Sequence, residues 1–210
     1  MRIVVLTWEY PPRVVGELAT EVEALSKGLA KRGVEVHVIT YHDWMVGDQE
    51  LDGVFVHRAT NPVKTSTHVL TWAMTMNGEF VRMAADLYYS PRGIDVVDAH
   101  EWLCVPAAIN LKRGLGVPFV FSVHSLEDHR SGGAQYLINE AIKSVERLGT
   151  KEAQKMVVKS NWMAKEVGRV YQVPKNKITV VTDGPTQAEV VAKIYEGMAS
   201  FQRSPPRAFS

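Results

Sequence analysis

Cysteine is nearly absent: Cys104 stands alone among 210 residues, which excludes an intramolecular disulfide, a thiolate zinc site and a dithiol redox pair. Such usage is expected of a cytoplasmic protein. An excess of charge is missing too, since 24 basic residues meet 23 acidic ones for a formal net charge of +1. The basic residues are scattered, without the clustered positive footprint of a nucleic-acid binder. No apolar run reaches the roughly 18 residues that a membrane span needs, and the opening run at 3–7 is too short for the core of a signal sequence. Neither nucleic acid nor a membrane is therefore expected as a partner. What is present is apolar material, 46% of the chain, enough for one core in a single domain.

Short β-branched runs occur at 3–7, 35–40, 54–58, 95–99, 119–123, 155–159 and 177–181, each followed by a more helix-like segment. This alternation predicts a doubly wound α/β domain around a mostly parallel sheet. Several runs are apolar on consecutive residues, as strands covered on both faces require. After the first run, Leu18, Val22, Leu25 and Leu29 recur at helical spacing before Lys31-Arg32-Gly33, which supplies cations and a glycine stop. Further helices are expected at 69–89, 103–113, 134–153 and 161–171, the last ended by Val173-Pro174.

Composition changes after the turn signal Asp183-Gly184-Pro185. Beyond it Val191, Ile194, Tyr195 and Met198 recur at i, i+3, i+4 and i+7, with Phe201 three further on, predicting an amphipathic helix over 187–201. Left in water, such a stripe would be a sticky patch on a helix too short to persist alone. It is expected to bury Val191, Ile194, Tyr195 and Met198 against the main domain. The expected division is 1–184 for the domain, 185–202 for this helix, and 203–210, with Pro205-Pro206, for a frayed tail.

Three segments carry candidate chemistry. The first run ends in a long loop, Thr7-Trp8-Glu9-Tyr10-Pro11-Pro12-Arg13-Val14-Val15-Gly16, that leads into a helix start. In a doubly wound fold such a loop lies at the carboxyl edge of the sheet, where helix N–H groups face ligands. No Gly-x-Gly-x-x-Gly and no Gly-Lys-Ser/Thr is present, so neither a dinucleotide fingerprint nor a P-loop is at hand. Asp98-Ala99-His100-Glu101 and Ser122-Val123-His124-Ser125 end two later strands and should bring two histidines to the same edge. The stretch Glu127 to Gly133 reads as a solvated polar loop. His37, His42, His57 and His68 have no comparable company, and no His, Asp or Glu spacing suggests a metal site.

In combination the segments TWEYPPRVVGEL, DVVDAHEWL, PFVFSVHS, HRSGG, VVKSNWM and KITVVTDG resemble those of glycogen and starch synthases and related retaining glycosyltransferases of the GT-B architecture, archaeal members especially. The resemblance runs from Met1 to about Gly184. It implies one of two facing Rossmann-like domains, the acceptor-side half. The half that holds a sugar nucleotide, ADP- or UDP-glucose, has no counterpart in the sequence. The final helix is similar to the one that ends such enzymes by crossing back onto the first domain. No cofactor is implied beyond the nucleotide sugar as substrate. Partners are a glucan or sugar acceptor and the missing donor domain, supplied in trans if it exists as a separate chain.

The resemblance also assigns residues. His124 matches the cleft histidine that orients the transferred sugar, and Glu101 matches an acidic residue near the acceptor; these are the catalytic expectations. His100, Arg13, Gly16 and Glu17 match the acceptor or donor-loop contacts, with Arg13 at the family's loop lysine. Glu17 replaces a glycine, Glu21 is unusual one turn later, and Asp98 stands where many relatives have histidine. These departures motivate a second reading, a non-catalytic or designed scaffold that keeps the fold and has lost or altered the activity.

Overall fold

The computed structural model describes residues 1–199. The expected packing of Phe201 and the expected tail at 203–210 lie outside the described residues. In chain order the elements are β1 (Arg2–Thr7), α1 (Glu17–Ala30), β2 (Glu35–Tyr41), β3 (Gly47–Leu51), β4 (Val54–Ala59), α2 (Val69–Tyr88), β5 (Val96–His100), α3 (Val105–Leu115), β6 (Phe119–Val123), α4 (Glu127–Arg130), α5 (Leu137–Glu152), β7 (Lys155–Val158), α6 (Asn161–Tyr171), β8 (Ile178–Val180) and α7 (Gln187–Ala199). They build one eight-stranded sheet of order β3-β4-β2-β1-β5-β6-β7-β8, parallel except for the β3–β4 pair. The expected doubly wound α/β class is therefore the observed one.

Side chains of each strand alternate between two cores. Val4, Leu6, Val97, Phe119 and Phe121 meet α2, α3 and α6 on one face. Ile3, Val5, Val36, Val96 and Val120 meet α1 and α7 on the other. Chain order turns back between β1 and β5, so the topological switch point lies between their carboxyl ends, where a doubly wound sheet binds its ligands.

Helix α7 packs along α1 on that second face. It buries Ala188, Val191, Ala192, Tyr195 and Met198, while Ile194, expected to be buried, is half-buried at the margin of the core. The approach is close: a Cβ on Gly28 of α1 would stand 2.9 Å from the Cβ of Ala188.

Two elements were not expected. β3 carries the polar run Gly-Asp-Gln-Glu-Leu with all five residues exposed, so no apolar alternation announces it. Its turn into β4, Asp52-Gly53, has both residues at positive φ, 52° and 79°, the two-residue hairpin geometry that Asp-Gly favours. The stretch read as a solvated loop contains α4, in which Glu127 is buried. The reason is Arg130, whose guanidinium meets carboxylates of Glu101 at 3.1 Å, Glu127 at 3.1 Å and Glu146 at 2.6 Å. Asn139 donates to Glu127 as well.

Candidate active site at the carboxyl edge

Period-2 alternation places Asp98 and His100 of β5, and Ser122 with the following His124, on the sheet face covered by α1 and α7. Apolar along most of its length, that face turns polar at its carboxyl end. His100 Nδ1 lies 3.0 Å from His124 Nε2, and His124 Nδ1 lies 2.9 Å from Glu21 Oε2 on α1. Glu21 is also 3.3 Å from Lys159, which pairs with Asp183. At the inner end His100 Nε2 faces Asp98 Oδ2 at 3.5 Å. Asp98 accepts hydrogen bonds from Ser122, at 2.7 Å, and from the hydroxyl of Tyr195 on α7. A chain of side chains thus runs from solvent at Lys159 to a wholly buried carboxylate. A cavity of about 20 Å³ beside it, lined by Glu21, His100, His124, Lys159, Gln187 and Val191, has room for about one water.

The electrostatics follow the geometry. The hydrogen bond from His124 outweighs partial burial and, with Lys159, holds the Glu21 carboxyl down at about 2. Burial opposes ionisation of Asp98, yet His100, Tyr195 and Ser122 more than offset it and its carboxyl stays below the usual range. Burial and the neighbouring Asp98 push the Tyr195 hydroxyl well up, so it remains a donor.

Glu101 opens the next turn with φ of 65° and ψ of 163°, a region nearly confined to glycine and costing about 1–3 kcal/mol. Its carboxylate justifies the strain locally: it accepts from the backbone N–H of His124 at 2.7 Å and of Ser125 at 2.8 Å, from the Ser125 hydroxyl and from Arg130. This buried group anchors the turn that presents His124. Cys104, just beyond, is fully buried and its thiol is pushed well up by that burial, which makes it a poor nucleophile.

The first loop converges on the same edge. Glu9, though buried, extends its carboxylate to the N–H groups of Val15, at 2.6 Å, and Gly16, at 3.0 Å. Of these two, Gly16 is the residue that the family resemblance matches to the donor-loop contacts. Arg13 lies between the rings of Trp8 and Tyr41, with its guanidinium carbon 5.0 and 4.9 Å from their centroids, and donates to Asp43 at 3.0 Å. Glu17 is exposed at the first turn of α1. So His100, His124 and Glu101 form one connected group, Arg13 and Gly16 belong to the adjoining loop, and Glu17 touches neither.

Sequence reasoning missed Glu9, Lys159 and Tyr195 as members of the site. No local pattern marks them: Lys159 and Tyr195 reach it through strand register and helix docking, and Glu9 through the fold of its own loop. It also passed over His37 and His57, whose rings meet at 2.9 Å across β2 and β4 and end on Glu35 and Asp48, away from the cleft edge.

Residues 18–184 match the model of Glycosyltransferase Family 4. The chain belongs to that family. It is 34% identical over 209 residues to an uncharacterized glycosyltransferase of Methanocaldococcus jannaschii, covering 97% of this chain and 52% of the relative. It is 29% identical over 202 residues to the glycogen synthase of Mycobacterium tuberculosis, covering 88% and 48%. The chain thus spans about half the length of these curated relatives. Among solved structures, a sucrose-phosphate synthase chain from Thermosynechococcus elongatus aligns with a TM-score of 0.67 at 16% identity over 96% of this chain and 99% of that one. The catalytic domain of starch synthase IV from Arabidopsis thaliana aligns with a TM-score of 0.61 at 15% identity, covering 88% and 52%. The fold of this family-4 glycosyltransferase chain is accordingly the amino-terminal half of the GT-B architecture. Among its described residues no helix is long and apolar enough to cross a membrane.

Proposed function

We propose that these residues form the acceptor-side half of a retaining hexosyltransferase, which moves glucose from ADP- or UDP-glucose to an α-glucan or another sugar acceptor. The observation that carries this reading is the His100–His124 pair at the carboxyl edge beside the switch point, in a chain of family 4. In such a reaction His124 holds the transferred sugar while the departing diphosphate is stabilised by cations and helix N-termini of a second domain. Residues 1–210 by themselves hold no second Rossmann-like sheet among the described residues and are proposed to carry out no transfer. Helix α7 is read as the returning helix of the two-domain enzyme, joined here directly to the first domain.

A second reading, a binding module or scaffold without catalysis, is favoured by one specific observation. Each ligand-facing group is already held by a carboxylate of the chain itself: the loop amides by Glu9, Arg13 by Asp43 and His124 by Glu21. Equilibrium binding of glycogen and maltooligosaccharides, paired with a transfer assay from both nucleotide sugars, separates the two. Glucan binding without transfer supports the acceptor half. Failure to bind any sugar, in folded monodisperse protein, supports the scaffold, and transfer above a heat-inactivated control contradicts both.

A further inference from the structure

Between the carboxylates of Glu21 and Asp98 stand four ring nitrogens in a line. An ionised carboxylate accepts hydrogen bonds and donates none. His124 Nδ1, at 2.9 Å from Glu21, must therefore carry a hydrogen. His100 Nε2 is buried and faces Asp98 Oδ2 at 3.5 Å; it too must carry one, since a bare lone pair there would point at a negative charge. The contact between His124 Nε2 and His100 Nδ1, at 3.0 Å, needs one hydrogen of its own. Three hydrogens on two rings leave the pair with a single positive charge between two negative ones. The charge sits on the less buried ring, His124, whose side chain is 16% exposed against 3% for His100; His124 Nε2 therefore donates to His100 Nδ1, and both ring hydrogens lie on His124.

We propose that Asp98, which does not touch His124, is a positioning residue that fixes the protons of His124 through His100. The surroundings keep Asp98 able to do so. Ser122 and Tyr195 both donate to it, so both oxygens are held as acceptors and the carboxylate is kept ionised. Glu21, held at about 2 and flanked by Lys159, is likewise an acceptor at neutral pH. Taken with the reading of His124 as the sugar-facing group, on which this consequence rests, the cleft histidine offers a ligand only N–H donors. A sugar oxygen or phosphate oxygen that displaces Glu21 meets a donor; a ligand N–H finds no lone pair.

The arrangement makes a specific forecast for Asp98→Asn. The new amide can donate to His100 Nε2, which then needs no hydrogen. His100 becomes protonated on Nδ1 and the central bond reverses. His124 then keeps its hydrogen toward Glu21 and loses the one on Nε2, although its own contacts are unchanged. Nitrogen-15 spectra of histidine-labelled protein at neutral pH read these states directly. In the wild-type chain both nitrogens of His124 should be protonated; in Asp98→Asn, Nε2 should show the shift of a bare nitrogen. Met198→Ala, which loosens the packing of the same helix but leaves both donors to the carboxylate, should retain the doubly protonated ring. A wild-type His124 with one hydrogen overturns the proposal even if Asp98→Asn fails to fold. Identical changes in Asp98→Asn and Met198→Ala would assign the effect to helix packing and also overturn it. Neither result depends on sugar binding, so failure here is distinct from failure of the acceptor reading.

Discussion

The hydroxyl of Tyr195, near the end of the last described helix, donates its hydrogen to Asp98 on a central strand. Both side chains are essentially out of reach of water. This hydrogen bond ties α7 to the polar end of the sheet, where van der Waals packing along α1 would by itself leave the helix free to slide.

Removing it should be costly. Tyr195→Phe deletes a donor to a buried carboxylate without opening a large cavity, so a loss of about 1–3 kcal/mol is expected, seen as a lower urea midpoint at unchanged m-value. Unaltered stability would show that α7 is held by its apolar stripe alone.

Acid should loosen the outer end of the same chain. The Glu21 carboxyl is depressed from 4.5 to about 2 by His124 and Lys159. A depressed carboxyl stabilises the fold fully above its unfolded value, and that share is lost as pH falls from about 4.5 through about 2. Glu21 is partly exposed, so screening limits its share to on the order of 1 kcal/mol or less. Glu21→Gln should therefore flatten the decline in stability over that window while matching the slope of wild type above pH 5. An unchanged acid slope would place the ion pair outside the stability balance.

Arg130 binds three carboxylates that lie far apart in sequence. With Arg130→Met, Glu101, Glu127 and the buried Glu146 would share a site without their cation, and a loss of about 3–5 kcal/mol is expected at pH 7. Burial already raises the Glu146 carboxyl despite its bonds to Tyr171 and Arg130, so protonation should relieve the variant. Its deficit should shrink on going from pH 7 to pH 5; a deficit independent of pH would point to lost packing of the arginine stem instead.

These side chains show what the sequence could and could not convey. The parallel strands were legible because burial on both faces writes consecutive apolar residues, as in Ile3-Val4-Val5-Leu6 of β1 and Phe119-Val120-Phe121 of β6. Helix α1 was legible from Leu18, Val22, Leu25 and Leu29, and α7 from Val191, Tyr195 and Met198. β3 was not, since an exposed edge strand needs no apolar alternation; only Asp52-Gly53 hinted at it. The convergence of His100 and His124 followed from strand ends sharing one edge. Their partners did not, because Glu21 and Asp98 become a pair of flanking carboxylates only after register sets β5 beside β6 and the docking of α1 brings Glu21 to His124. Arg130 made a polar tetrapeptide into a helix with one buried carboxylate, Glu127, for a similar reason: its three partners are 3 to 29 residues away.

The first loop holds its own anion. Glu9 occupies the amides of Val15 and Gly16, whereas Glu17 projects into solvent. Glu9→Ala should cost about 1–3 kcal/mol through the freed N–H groups and should enlarge the amide shifts of Val15 and Gly16 on titration with phosphate. Glu17→Gly should change those shifts little. The reverse ranking would mean that the exposed carboxylate, and not the buried one, guards the loop.

The most direct test of the acceptor-side reading is an amide-correlation NMR titration of the whole 210-residue chain with a maltooligosaccharide. Saturable shifts centred on Gly16, His100, His124 and Ser125, with the N-terminal edge of the sheet undisturbed, are the expected result. Shifts that never saturate, or that gather away from the carboxyl edge, would contradict it.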